Sequence, residues 1–143
     1  MNILILGSGG REHSLAWAVM QNPKCDKLIV APGNAGIAEI AECASFDIMD
    51  GSVVVEFCAA NAIDFVIIGP EAPLAVGVSD DLRAAGLSVF GPSAAAAALE
   101  ASKAFTKEIC DACAAPTAAY GHFTDAATAR AYVSKQGLSL IHI

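Results

Sequence analysis

The chain has 143 residues, of which 55% are hydrophobic and 16% are charged, and its formal net charge is -7. This composition predicts a folded globular protein and excludes a disordered chain, and the length suits one domain, or one domain and part of a second. With 8 Lys and Arg against 15 Asp and Glu, the chain lacks the basic clusters that neutralise phosphates, which argues against nucleic acid as a partner.

The sequence shows no pattern of a targeting segment and only one weak candidate for a metal motif. No apolar run approaches the ~20 residues of a membrane span, and the first residues lead directly into a strand pattern with no basic start. We therefore expect a cytoplasmic protein with no membrane partner. The five cysteines are expected to be reduced thiols. Cys110 and Cys113 have C-x-x-C spacing, but further zinc ligands are missing nearby, so we interpret them as helix packing and predict no metal site.

Apolar runs and turn residues predict a regular alternation of strands and helices in the first hundred residues. The predicted elements are a strand at 2–6, a helix at 10–21 with Leu15, Val19 and Trp17 as candidate sheet-facing residues, a strand at 28–31, a weak strand at 44–46, a helix at 51–62, a strand at 64–69, a helix at 75–85 and a strand at 87–90. This order predicts an α/β fold: a Rossmann-like parallel sheet with helices on both faces.

The composition changes after Ser93, where an alanine run begins. Beyond it we predict a helix at 102–114, an extended segment at 118–123 and a helix at 125–136 that Thr124 caps. A strand would start at Leu138. We therefore predict a first domain at 1–101 and the incomplete start of a second domain at 102–143.

Three unusual loops follow strands, at 7–13, 32–36 and 69–74. Because ligands bind outside the carboxyl ends of parallel strands, we expect these loops to build one pocket. Gly9 and Gly10 leave the backbone open at the positive end of a helix, a place that suits an anion.

The first loop leaves three interpretations open. A dinucleotide site would need glycine where Glu12 stands and an acid near Pro32, and both are missing. A purely structural turn is the second interpretation, and a phosphate or phosphosugar site is the favoured one. Glu71 lies between two prolines, either as an exposed carboxylate or as a rigidly held acceptor for a hydroxyl or an amine. His13 alone does not distinguish between these interpretations. Lys103 and Lys107 would by default form a solvated helix face.

Several segments together resemble the phosphoribosylamine–glycine ligase (glycinamide ribonucleotide synthetase) family of ATP-grasp enzymes. The resemblance extends over about residues 1–137 and is carried by Gly7–His13, Ala31–Gly36, Gly69–Leu74, Phe90–Pro92, Leu99–Lys103, Phe105, Lys107 and Pro116–Ala118. It implies that residues 1–101 are the Rossmann-like domain that precedes an ATP-grasp module.

The family joins glycine to 5-phosphoribosylamine with ATP and Mg²⁺ (or Mn²⁺), through a glycyl phosphate, in de novo purine synthesis. By resemblance, the phosphoribosylamine pocket would be lined by Gly9, Gly10, Arg11, Glu12 and His13, with Gly33 and Asn34 as a second wall. Glu71 would accept the ribose hydroxyls or the amine, and Lys103, with Lys107 as a second candidate, would contact the ATP phosphates. No catalytic residue and no metal ligand is expected in these 143 residues.

The sequence departs from the family pattern at Leu138, and residues 138–143 are a candidate non-native tail. We therefore expect the chain alone to be inactive as a ligase. Two rival interpretations remain: a fragment of a dinucleotide-binding oxidoreductase, and a non-catalytic phosphosugar-binding module.

Overall fold

A computed structural model describes residues 1–136 of the chain. Contacts divide the chain into two compact units, the first comprising Met1–Ala101 and the second beginning at Ser102. No helix in the described part of the chain combines the length and the apolar character needed to cross a bilayer.

The first unit is built on five parallel strands, which confirms the predicted α/β class. The strands are β1 (Asn2–Gly7), β2 (Lys27–Pro32), β3 (Glu42–Cys43), β4 (Phe65–Ile68) and β5 (Ser88–Phe90), in the spatial order β3-β2-β1-β4-β5. The chain runs outward from β1 to β3 and then returns to the other side of β1 for β4 and β5. The topological switch point, where such sheets bind ligands, therefore lies between β1 and β4.

Helices cover the two faces of this sheet unequally. They are α1 (Gly10–Met20), α2 (Gly51–Ala60), α3 (Glu71–Ala75), α4 (Val78–Ala84) and α5 (Ala94–Ala101), with a short 3-10 helix at Ile37–Glu39. Helices α2 to α5 contribute to the core under Leu4, Leu6, Val66 and Ile68, whereas α1 and the 3-10 helix cover the opposite face. The central strands are thus buried on both faces, as their continuous apolar sequence predicts.

Four predictions in this unit were wrong, of which three concern the third strand, Trp17 and the third loop. The third strand lies at Glu42–Cys43 rather than 44–46, because pairing with β2 stops at Cys43. Trp17 is 61% exposed, since Ala16 takes the sheet-facing position on α1. The predicted loop at 70–74 is mostly helical.

Pro70 explains that last difference, and Gly77 explains the fourth wrong prediction, the single helix at 75–85. Pro70 is the N-cap of α3, a position where its missing N–H costs nothing. Gly77 adopts a left-handed backbone with φ of +97°, which separates α3 from α4 and interrupts the single helix predicted at 75–85.

The second unit contributes α6 (Lys103–Cys113) and α7 (Ala126–Gln136). Ser102 caps α6 by accepting a hydrogen bond from the N–H of Phe105. The predicted cap of α7 was wrong by one residue: Asp125, not Thr124, accepts from the N–H groups of residues 127 and 128. Residues 118–123 form no strand, and the strand predicted from Leu138 lies outside the described residues.

The side chain of Glu12, which is 5% exposed, packs closely against two glycines. A Cβ atom at Gly7 would lie 2.5 Å from Glu12 Cγ, and one at Gly69 would lie 2.7 Å from both Cγ and Cδ. Two glycines, one ending β1 and one following β4, therefore leave the space that Glu12 fills.

We predict that Gly69→Ala lowers the free energy of unfolding by about 1–3 kcal/mol, because the new methyl group collides with Glu12. Urea unfolding measures the change. Gly10→Ala is the matched control, since a Cβ there meets nothing within 4 Å. Equal stabilities for the two variants would contradict the packing described here.

A second prediction concerns Cys58, which is buried on α2. Burial raises the pKa of this thiol from 9.0 to about 11, because the thiolate loses its hydration. Between these values the unfolded chain releases the proton and the folded chain keeps it. The free energy of unfolding should therefore fall by roughly 1–3 kcal/mol as the pH rises through this range.

Urea unfolding of the wild type and of Cys58→Ala across that range measures the effect, which the variant should reduce. Cys43→Ala removes an exposed thiol and serves as the control. A pH dependence that Cys58→Ala leaves unchanged would show that the thiol does not carry the effect.

Candidate functional site

The loops after β1 and β2 are joined by hydrogen bonds at the carboxyl edge of the sheet. The N–H of Gly33 donates to the carbonyl of Gly7 at 3.1 Å. Asn34 Nδ2 donates to the carbonyl of Ser8 at 2.8 Å, and Asn34 Oδ1 accepts from the N–H of Ile37 at 2.9 Å. Asn34 thus fixes the second loop against the first and also holds the start of the 3-10 helix.

The loop after β4 is joined to the first loop through Arg11. Arg11 Nη1 donates to the carbonyl of Gly69 at 2.6 Å, and Nη2 lies 3.3 Å from Glu71 Oε1. The three loops predicted to form one pocket therefore meet at one edge, and Gly9, Asn34 and Glu71 lie on that edge.

The charge on Glu71 is stabilised locally. Its own backbone N–H, at the first position of α3, and the Arg11 guanidinium hold the pKa of the Glu71 carboxyl below its usual range. Both side chains are largely exposed, so their ion pair contributes little to stability.

Between the loops lies an open cleft of about 450 Å³. Of the predicted site residues, Gly9 and Glu12 line it, and Gly10, Arg11, Gly33, Asn34 and Glu71 belong to the segments around it. The other lining residues are Gly7, Ser8, Pro32, Phe46, Asp47, Ile48, Met49, Pro70, Ala72 and Pro73.

Backbone donors stand free at the start of α1. Within the described residues, the N–H groups of Gly10, Arg11 and Glu12 donate to no protein acceptor, whereas the N–H of His13 donates to the carbonyl of Gly9. Glu12 Oε2 accepts from the N–H of Gly9 at 2.7 Å. Unpaired N–H groups at the positive end of an 11-residue helix favour an anion such as a phosphate.

His13 lies beside the cleft rather than in it. A Cβ at Gly36 would lie 2.6 Å from His13 Cε1, so the imidazole packs against the second loop. It also lines an open groove with Ser14 and Trp17.

One wall of the cleft was missed by the sequence analysis. It is formed by residues 46–49, which follow β3. The signal was present in the sequence, because the strand predicted at 44–46 places Asp47 directly after a strand, at the same edge that the three loops occupy.

The two lysines of the second unit differ in their surroundings. Lys107 Nζ donates to Thr117 Oγ1 at 2.6 Å and to the carbonyl of Ala118 at 2.8 Å, and it lies 5.3 Å from the centre of the Tyr120 ring. Lys103 is exposed, and both lysines line a pocket of about 260 Å³. Lys107 therefore serves local structure in the second unit.

Metal ligands are not clustered in the residues that the structure describes: no group of three or more His, Cys, Asp or Glu side chains could hold an ion there. Cys110 and Cys113 are free thiols on α6.

Comparison with known proteins identifies relatives of the whole described region. The phosphoribosylamine–glycine ligase of Mesorhizobium japonicum is 53% identical over 141 residues, which are 99% of this chain and 33% of that protein. The crystal structure of phosphoribosylamine–glycine ligase from Thermotoga maritima is 28% identical with a TM-score of 0.56, over 78% of this chain and 24% of that chain. The chain spans about a third of the length of the curated relatives it matches.

A more distant structure shares the fold alone. The biotin carboxylase domain of Hydrogenobacter thermophilus 2-oxoglutarate carboxylase, solved with MgADP and bicarbonate, has a TM-score of 0.66 at 13% identity, over 94% of this chain and 32% of that chain. The family model described as phosphoribosylglycinamide synthetase, N domain, matches residues 1–100. These findings confirm the resemblance drawn from the sequence motifs, and the chain belongs to the phosphoribosylglycinamide synthetase family, whose N domain it contains.

Proposed function

We propose that this chain is the phosphoribosyl-binding N-terminal part of an ATP-dependent ligase that joins glycine to 5-phosphoribosylamine, giving glycinamide ribonucleotide for purine biosynthesis. Family membership and the names of its relatives support the reaction. The single observation that carries the binding role is the cleft at the switch point, which Gly9 and Glu12 line next to the free N–H groups that begin α1.

The chain's own residues would bind and orient the sugar phosphate. The N–H groups of Gly10 and Arg11 would donate to the phosphate, and Gly9 lacks a side chain that would keep it away. Glu71 would accept from a ribose hydroxyl or from the amine once a ligand displaces Arg11. Gly33 and Asn34 would hold the second wall, with His13 behind it.

ATP and the metal ion belong to the proposal for the longer protein. ATP supplies the phosphoryl group that turns the glycine carboxylate into a glycyl phosphate, which the amine then attacks with loss of phosphate. Lys103 is the residue of this chain that we propose for the ATP phosphates. The described residues do not fit a magnesium or manganese site, so we assign the metal no ligand here.

The rival interpretations differ from this proposal in testable ways. A nicotinamide or flavin site needs close packing at the third glycine position, where Glu12 stands, and an acid at the end of β2, where the chain reads Ala31-Pro32. A non-catalytic phosphosugar-binding module would bind ligand in the same cleft without supporting ligase chemistry in any longer chain.

A chimera tests the proposed function directly. We expect residues 1–136 of this chain, replacing the matching residues of the Mesorhizobium japonicum relative, to give a ligase that forms glycinamide ribonucleotide with ATP and glycine. The 143-residue chain alone should show no turnover. A chimera that folds, binds ATP and yet forms no product would contradict the proposal.

Within that chimera, we expect Glu71→Ala to weaken the binding of phosphoribosylamine by about 1–3 kcal/mol, because a hydrogen bond from the ligand to a charged acceptor is lost. The measurement is the KM for phosphoribosylamine. Glu100→Ala removes an exposed carboxylate from α5 and is the matched control. An unchanged KM would show that Glu71 does not contact phosphoribosylamine.

Substitutions of the two lysines should have different effects. Lys103→Ala is expected to raise the KM for ATP about tenfold or more, since a charge-assisted phosphate contact is lost. Lys107→Ala should instead lower the melting temperature, because Thr117 and Ala118 lose their donor. If Lys103→Ala leaves the KM for ATP unchanged, Lys103 does not contact the nucleotide.

A further inference from the structure

The wall of the cleft formed by residues 46–49 is fixed on both sides of Asp47. Phe46 stacks on Phe57 of α2 with ring centroids 4.4 Å apart, and Ile48 packs against the core beneath α2 to α5. The N–H of Met49 donates to Asp47 Oδ1 at 2.8 Å, which closes a short turn around the carboxylate. Asp47 is therefore held at the cleft by packing and by its own backbone turn.

The Asp47 carboxylate retains capacity to accept hydrogen bonds. It is exposed, and it takes part in none of the ion pairs found in the described residues. Met49 occupies Oδ1, so Oδ2 is left for a donor from outside the protein.

The other carboxylates near the cleft have protein partners in the structure. Glu12 is buried and accepts from the N–H of Gly9, and Glu71 faces Arg11. Among the residues lining the cleft, Glu12 and Asp47 are the two that carry a charged side chain, and Asp47 is the exposed one.

The two walls thus offer opposite chemistry. The first turn of α1 presents N–H donors, which favour an anion, whereas Asp47 presents an anion, which repels phosphate and accepts from hydroxyl groups. We propose that Asp47 is a specificity-determining residue, which accepts hydrogen bonds from the vicinal 2- and 3-hydroxyls of a ribose 5-phosphate group whose phosphate lies at the start of α1. This inference rests on the proposed phosphoribosyl function and adds a residue, on the opposite wall from the start of α1, that contacts the sugar hydroxyls.

Calorimetric titration of the 143-residue chain with ribose 5-phosphate, 2-deoxyribose 5-phosphate and inorganic phosphate tests the proposal. The wild type should prefer ribose 5-phosphate over the 2-deoxy compound by about tenfold, and Asp47→Ala should abolish most of that preference. Inorganic phosphate should bind the variant as well as the wild type or better, since a repulsive charge has been removed.

Two further variants serve as controls for the Asp47→Ala result. Asp47→Asn keeps an Oδ1 acceptor for the N–H of Met49 and so preserves the turn. It should still lower the affinity for ribose 5-phosphate, because the charge is lost. Glu56→Gln removes an exposed charge from α2, outside the cleft, and should change neither affinity nor preference.

The outcomes separate this inference from the proposed function. Unchanged affinity and unchanged preference in both Asp47 variants would overturn the role of Asp47 while leaving phosphoribosyl binding intact. Failure of the wild type to bind ribose 5-phosphate would overturn this inference too, and product formation by the chimera would then decide the ligase assignment on its own.

Discussion

The geometry of the cleft depends on where one carboxylate is buried. Glu12, on the first turn of α1, fills the space between the ends of β1 and β4 and accepts from the N–H of Gly9. A side chain at Gly7 or Gly69 would occupy that space. In dinucleotide-binding turns a glycine at the position of Glu12 allows the helix to approach the sheet. Here Gly69, directly after the neighbouring strand β4, provides the room, so helix and sheet still pack closely around a larger side chain.

This packing links the fold to the proposed chemistry. Because Glu12 occupies the N–H of Gly9, the donors left free are those of the next residues along α1, and they stand at the switch point of the sheet. Arg11 and Asn34 then bind the other two loops to the first. A sugar phosphate placed here would have its phosphate near the helix and its hydroxyls toward the wall that carries Asp47.

The sequence was most informative where a local pattern has one physical meaning. Apolar runs ending in glycine gave β1 and β4, and parallel alternation gave the edge where the loops meet. It failed where tertiary contacts decide. β3 has two residues, which are placed by pairing with β2 rather than by propensity. The two prolines that flank Glu71 predict a loop, but the structure has a helix there, since proline is compatible with a first helical turn.

The most direct test of the cleft is an amide chemical-shift titration of the ¹⁵N-labelled chain with ribose 5-phosphate. The account predicts that the largest shifts fall on the amides of Gly9, Gly10 and Arg11 and on those of Asp47 and Met49, with smaller changes at Asn34 and Glu71. Shifts that spare these residues and concentrate elsewhere, such as the exposed face of α1 around Trp17, would contradict a phosphoribosyl site at the switch point of the sheet.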